Sequence, residues 1–129
     1  MADVSFKPVT EEDVRFMVAN LAKDNVAEIL ATGLPEKEFL NDFLTALRKS
    51  PYTSAGVVDG KTQMISGVVP EFLDRKRGLI WLVFTEEAKS RYWVELARWS
   101  KRVLNEYLKV FETLYVRCNV ENVKIRRWI

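Results

Sequence analysis

The chain contains no histidine and a single cysteine, Cys118. Histidine-ligated zinc and the Ser-His and Cys-His nucleophilic arrangements are thereby excluded, as is an intramolecular disulfide. One lone thiol fits a reducing compartment. An excess of one charge sign is lacking too. Lys+Arg 20 against Asp+Glu 18 leaves +2 over 129 residues, a balance that gives no reason to expect nucleic acid. No apolar run is long enough to span a bilayer, and the opening MADVSFKP has no apolar signal region. The expectation is a cytoplasmic domain with no membrane segment. Its chemistry, if it has any, rests on carboxylates, Lys, Tyr, Ser or backbone amides. Glycine is scarce as well, with 5 in the chain, and none falls in FTEEAKSRYWVELARW, Phe84 to Trp99.

What is present reads as one folded domain. The hydrophobic fraction is 48% and the aromatic fraction 12%, enough for a core. VSFKPV alternates apolar and polar, as a half-buried first strand does. Thr10 and Asp13 have the spacing of a capping box, and Val14, Met17, Val18 and Leu21 then recur at helical spacing. The helical signal resumes through Val26, Ile29 and Leu30 and ends at Gly33, a left-handed cap residue. Pro35 starts the next helix, whose stripe is Phe39, Leu40, Phe43, Leu44 and Leu47, and Ser50-Pro51 stops it. TSAGVV, the turn Asp59-Gly60 and QMISGVV make a hairpin. A polar loop with Arg75, Lys76 and Arg77 leads through Gly78 into LIWLVF, a strand buried on both faces. A long helix follows, with Trp93, Leu96, Ala97, Ser100, Val103, Leu104, Tyr107 and Leu108 along one side. TLYVRC, Thr113 to Cys118, is the last strand, and a short helix runs from about Asn122 to Ile129.

The order is β-α-α-β-β-β-α-β-α. The helix between LIWLVF and TLYVRC predicts a right-handed crossover that makes those two strands parallel. The expected class is α/β, a mixed sheet, mostly antiparallel with one parallel pair, flanked by helices. Ligands often sit at the opening between such paired strands.

This succession resembles the GNAT superfamily, the acyl-CoA-dependent N-acyltransferases. VSFKPVTEEDV looks like the opening of that family, and ENVKIRRWI resembles its motif after the fifth strand. The compact form with a basic, aromatic long helix is most similar to bacteriophage-encoded members of T7-like phages, some of them virion-associated or assembly proteins. The resemblance implies that the strand Leu82, Val83, Phe84 pairs with the pantetheine arm of acetyl-CoA. It places the pyrophosphate on the junction Glu86 to Tyr92, with Lys89, Ser90 and Arg91 as its cations and hydroxyl, and Asn122 beside the cofactor arm. Active members carry glycines at this junction; here they are replaced, and Tyr92 and Trp93 are bulky where close approach is needed. Glu86 and Glu87 oppose an anion. Two readings therefore stand side by side: an anion grip at a helix start, or an ordinary helix start capped by Thr85.

Amine acylation needs a base and profits from an acid beside the departing thiolate. LIWLVF has no carboxylate, so the base would be Glu71, Glu86 or Glu87, each of which reads first as a surface charge. The position of the family's tyrosine falls at Ile129, which cannot donate a proton, and Asn119 and Asn122 also read as helix caps. The sequence stops at Ile129, where the family continues into a closing hairpin, so either the chain is trimmed or it is a minimal variant whose exposed edge a partner covers. Arg91, Arg98, Lys101, Arg102 and Lys109 interleave with Tyr92, Trp93, Trp99 and Tyr107, but without a nucleic-acid reader motif. Trp99 lies off the main stripe and reads either as an exposed anchor for protein contact or as packing under the N-terminal helices.

The expectation is a diverged GNAT-like phage protein acting through protein contacts, in virion assembly or on a host protein. An active acetyl-CoA-dependent N-acetyltransferase is the alternative, and a small nucleic-acid-binding module the second. A self-complementary edge would make a homo-oligomer.

Overall fold

The computed structural model describes residues 4–115. The predicted helix from Asn122, the strand residues beyond Tyr115, and Cys118, Asn119, Asn122 and Ile129 lie outside the described residues.

Strand β1 (Val4–Lys7) leads into helices α1 (Glu11–Ala19) and α2 (Lys23–Ala31). A single 3-10 turn (Glu36–Glu38) precedes α3 (Phe39–Lys49). Strands β2 (Tyr52–Val58), β3 (Lys61–Pro70) and β4 (Arg77–Phe84) follow, then α4 (Glu86–Arg91), α5 (Trp93–Leu108) and β5 (Thr113–Tyr115). The five strands lie in chain order, antiparallel except for the parallel pair β4–β5. The expected mixed α/β architecture is therefore the observed one.

Local chemistry explains the joints. The Thr10 hydroxyl accepts from the Asp13 amide at 3.1 Å, and Asp13 accepts from the Thr10 amide at 2.9 Å, completing the capping box. Asp59 and Gly60 both have positive φ, 51° and 77°, the conformation of a two-residue turn that follows strand twist. Gly33, with φ 94°, ends the second helix as a left-handed residue.

β4 buries both faces, as its unbroken apolar run predicts. Ile80, Leu82 and Phe84 point to the α5 side, with Met64, Val68, Leu96, Trp99, Val103 and Tyr107. Trp81 and Val83 point to the opposite side, with Met17, Phe39, Phe43 and Ile65 beneath α1 and α3. The core is thus two layers separated by one sheet. On the α5 side the Tyr107 hydroxyl meets buried Ser66 at 2.8 Å, and burial pushes this phenol up to about 12 against the pull of that hydrogen bond.

Three expectations need correction. The first helical stretch is two helices, because Asn20–Ala22 leaves the helix and runs beside the end of β4. Pro35 caps the 3-10 turn, and the helix proper begins at Phe39. The long helix is interrupted at Tyr92 (φ −124°, ψ 32°), so α4 is a separate short helix. This break rotates the apolar stripe. Trp93 and Leu108, expected inside, are 48% and 50% exposed, and Trp99 is buried against Tyr92 at 6.1 Å between ring centroids. Trp99 is therefore not an exposed anchor. It packs on the α5 face, opposite to the N-terminal helices.

Candidate cofactor site at the end of strand β4

In an antiparallel pair, successive residues direct their backbone groups to alternate edges. The Thr85 amide donates to the Gln63 carbonyl at 3.0 Å on the β3 side. Phe84, its neighbour, therefore aims its amide and carbonyl at the other edge, where β5 pairs further back along β4, through Arg77, Gly78 and Leu79. This edge, along Leu82, Val83 and Phe84, is where the resemblance puts a pantetheine arm.

The end of that edge is taken by the chain itself. The Phe84 amide donates to Asn25 Oδ1 at 2.9 Å, and the Phe84 carbonyl accepts from the Ala22 amide at 3.0 Å. One step on, the Glu86 amide donates to the Asn20 carbonyl at 3.2 Å, and Leu21 bridges antiparallel to Thr85. Asn20–Ala22 thus acts as a one-rung strand laid against the end of β4. The Glu86 carboxylate completes the seam by accepting from the Lys23 amide at 2.9 Å.

The junction that would hold pyrophosphate is likewise spoken for. Thr85 Oγ1 accepts from the Ala88 amide at 2.9 Å, and the Thr85 carbonyl accepts from the Lys89 amide at 3.2 Å. The Thr85 hydroxyl itself donates to Gln63, whose side-chain amide donates to Glu87 Oε1 at 2.6 Å. Of the two readings of this segment, the ordinary capped helix start is the geometry observed. α4 is 6 residues long, too short for a developed dipole.

The predicted side chains follow suit. Lys89 pairs with Asp24 of α2 at 2.5 Å, and that hydrogen bond raises the ammonium above its ordinary range. Ser90 donates to the Glu87 carbonyl at 3.3 Å. Arg91 lies over the Tyr92 ring, 5.6 Å from its centroid, and Asn122 is outside the described residues. Among the base candidates, Glu86 and Glu87 carry the hydrogen bonds just given. Glu71 sits at the far end of β4, in an ion pair with Arg77 at 3.7 Å, roughly 23 Å away at about 3.3 Å per residue. The structure brings Glu86 and Glu87 together and leaves Glu71 apart.

Sequence reasoning missed Asn20, Ala22 and Asn25. Their one signal was the gap in helical periodicity between Leu21 and Val26, together with a polar residue, Asn25, that is buried at 6% exposure. Among the described residues no cluster of three His, Cys, Asp or Glu side chains is placed to hold a metal ion, and no helix is long and apolar enough to cross a membrane.

No protein-family model matches the sequence, and no curated protein matches it. Solved structures do match. A GNAT-family acetyltransferase from Bacillus anthracis superposes with a TM-score of 0.65 at 13% identity, over 99% of this chain and 78% of that one. A "predicted acetyltransferase" from Clostridium acetobutylicum, solved with acetyl-CoA, gives 0.57 at 12% identity over 97% and 87%. Glucosamine-6-phosphate N-acetyltransferase from Arabidopsis thaliana gives 0.54 at 16% identity over 98% and 90%. With β4 and β5 as its single parallel pair, the chain has the α/β GNAT-like fold of these acetyltransferases.

Proposed function

We propose that this chain is a GNAT-like protein that does not use acyl-CoA and works through contacts with other proteins. One observation carries the reading: Phe84 and Glu86, whose backbone would meet the cofactor, are hydrogen-bonded to Ala22, Asn25 and Asn20 of the same chain. A ligand taking that edge has to break these bonds, and each polar group left buried and unpaired costs about 1–3 kcal/mol. Tight pyrophosphate binding also needs amides open to approach, and those of Glu86, Ala88 and Lys89 are already used.

The contact role is supported by apolar side chains that the core does not absorb. Trp93 and Val94 are 48% and 59% exposed on the first turn of α5, and tryptophan is enriched among interface hot spots. Phage-type members, in virion assembly or on a host protein, are the setting that the resemblance suggests.

The second reading is an acetyl-CoA-dependent N-acetyltransferase, favoured by the fold shared with a protein solved with acetyl-CoA. It requires the Asn20–Asn25 segment to leave β4 before the cofactor enters. Calorimetric titration with acetyl-CoA, with free CoA as comparison, separates the two. No saturable heat is expected at millimolar ligand. Micromolar, saturable binding that Arg91→Glu weakens would establish the acetyltransferase reading instead.

A further inference from the structure

The outer face of α5 carries positive charge that the rest of the chain does not answer. Val94, Arg98, Lys101, Asn105 and Leu108 fall on one helical stripe, opposite the buried Leu96, Trp99, Ser100, Val103 and Tyr107. All five stripe residues are exposed, Val94 at 59% and Leu108 at 50%. Among the described residues Arg98 and Lys101 have no ion-pair partner. The flanking cations meet rings rather than carboxylates: Arg91 lies over Tyr92 at 5.6 Å and Arg102 over Phe6 at 5.5 Å. Of the acids on this helix, Glu106 is paired with Lys109 and Glu95 is half-buried on the flank. From Arg91 to Lys109 five cations stand against two acids.

The layer on the other side of the sheet has the reverse balance. From Thr10 to Ser50, through α1, α2 and α3, eight acids stand against five cations. A chain that is nearly neutral as a whole is therefore polarised across its sheet, and an acidic partner is drawn to α5 and turned away from the opposite layer.

We propose that the outer face of α5 is the docking surface for an acidic segment of another protein. Its carboxylates meet Arg98 and Lys101, and an apolar side chain at each end covers Val94 and Leu108. These two stand about 21 Å apart along the axis at about 1.5 Å per residue, and Trp93, 48% exposed, flanks the Val94 end. The proposal names the chemistry of the partner and so rests on the protein-contact reading above. Nucleic acid fits this face less well. Two of the four aromatic residues that interleave with the cations, Trp99 and Tyr107, are buried and cannot stack on bases, and a phosphate backbone offers nothing to Val94 and Leu108. A bilayer also fits less well, because interfacial helices keep their cations off the apolar face, whereas Arg98 and Lys101 lie between Val94 and Leu108 on one stripe.

Fluorescence anisotropy on the whole chain at physiological salt tests it. The probe is a fluorescein-labelled helical peptide with a leucine near each end and glutamates on the same face between them. Saturable binding at micromolar concentration is expected, with the glutamine counterpart of the peptide about tenfold weaker. Arg98→Glu/Lys101→Glu, which changes exposed side chains only, is expected to keep the far-ultraviolet circular dichroism spectrum and melting point and to bind about a hundredfold more weakly. Leu108→Ser is expected to weaken binding about tenfold. Arg15→Glu/Lys37→Glu makes the same change of net charge at exposed positions of the opposite layer and is expected to bind as the wild type does. The inference is overturned if the wild type does not bind the glutamate peptide, if the glutamine peptide binds equally well, or if the two charge reversals weaken binding alike. Tighter binding to duplex DNA or to phosphatidylserine vesicles than to the peptide, lost in Arg98→Glu/Lys101→Glu, would overturn it in favour of nucleic acid or a lipid surface. Failure here without acetyl-CoA binding removes the acidic partner and leaves the protein-contact reading, whereas acetyl-CoA binding removes that reading whatever the peptide does.

Discussion

Gly67→Ala is expected to lower stability by about 3 kcal/mol, near the upper end of what overpacking a core costs. Gly67 lies in β3 directly across from Trp81 of β4. A Cβ there would stand 2.5 Å from Trp81 Cζ2 and 2.6 Å from Cε2. The ring cannot easily give way. Its Nε1 donates to Ser50 Oγ at 2.8 Å, and its face is tilted against Phe43 at 6.2 Å. Moving it breaks the tie between the sheet and the end of α3. Urea unfolding of the variant should show a lower midpoint with an unchanged slope. Trp81→Phe in the same chain should restore part of the loss by freeing the space. If Gly67→Ala unfolds at the wild-type midpoint, the close approach of β3 to the indole is wrong.

Asp13→Ala is expected to cost a similar amount, about 3 kcal/mol, from a lost helix cap and an orphaned buried hydroxyl. Asp13 is 8% exposed and joins three elements. Its carboxylate accepts from Lys7 of β1, from the amide and hydroxyl of Thr10 at 2.9 and 3.0 Å, and from Thr62 of β3 at 2.8 Å. Burial pushes this carboxyl upward, but the hydrogen bonds from Lys7, Thr10 and Thr62 together outweigh it and hold the acid below its ordinary 3.8. The sign follows from linkage. A carboxyl whose folded-state value is depressed contributes stability that is present above the unfolded value and lost as pH falls through the folded one. The wild type should therefore lose stability steeply below pH 3.8, and Asp13→Ala should show a flatter acid limb. Thermal melts from pH 7 down to pH 2 would read the difference, and parallel acid limbs would remove Asp13 from the account.

Asp13 was legible in the sequence as a capping residue, because a Thr followed three residues later by an acid is a local signal. Its reach to Thr62 was not, since nothing local relates residues 49 positions apart. The same division runs through the fold. The Asp59-Gly60 turn, the doubly buried β4 and the parallel β4–β5 pair follow from short-range composition and from one crossover helix. The break at Tyr92 was hidden because Tyr92 and Trp93 suit a helix interior as well as a joint. Its effect on burial, Trp99 in and Trp93 out, could not be read from a stripe drawn through both helices.

The candidate site divides in the same way. Replacement of the family's glycines by Glu86–Tyr92 and the Thr85 cap were visible in the sequence, and the structure shows the capped helix start they suggest. What closes the edge of β4 left only the gap in helical periodicity between Leu21 and Val26 as a trace. The bonds from Asn20, Ala22 and Asn25 to Phe84 and Glu86 join segments about sixty residues apart, and two of the three are made by main-chain atoms that carry no residue-specific signal.

Amide hydrogen exchange at Phe84 and Glu86, followed by NMR with and without saturating acetyl-CoA, is the most direct measurement. The account predicts slow exchange at both amides in the free protein, because Asn25 and Asn20 already accept from them, and no change when acetyl-CoA is added. Fast exchange in the free protein, with protection gained on adding acetyl-CoA, would mean that the edge is open and that the cofactor takes it.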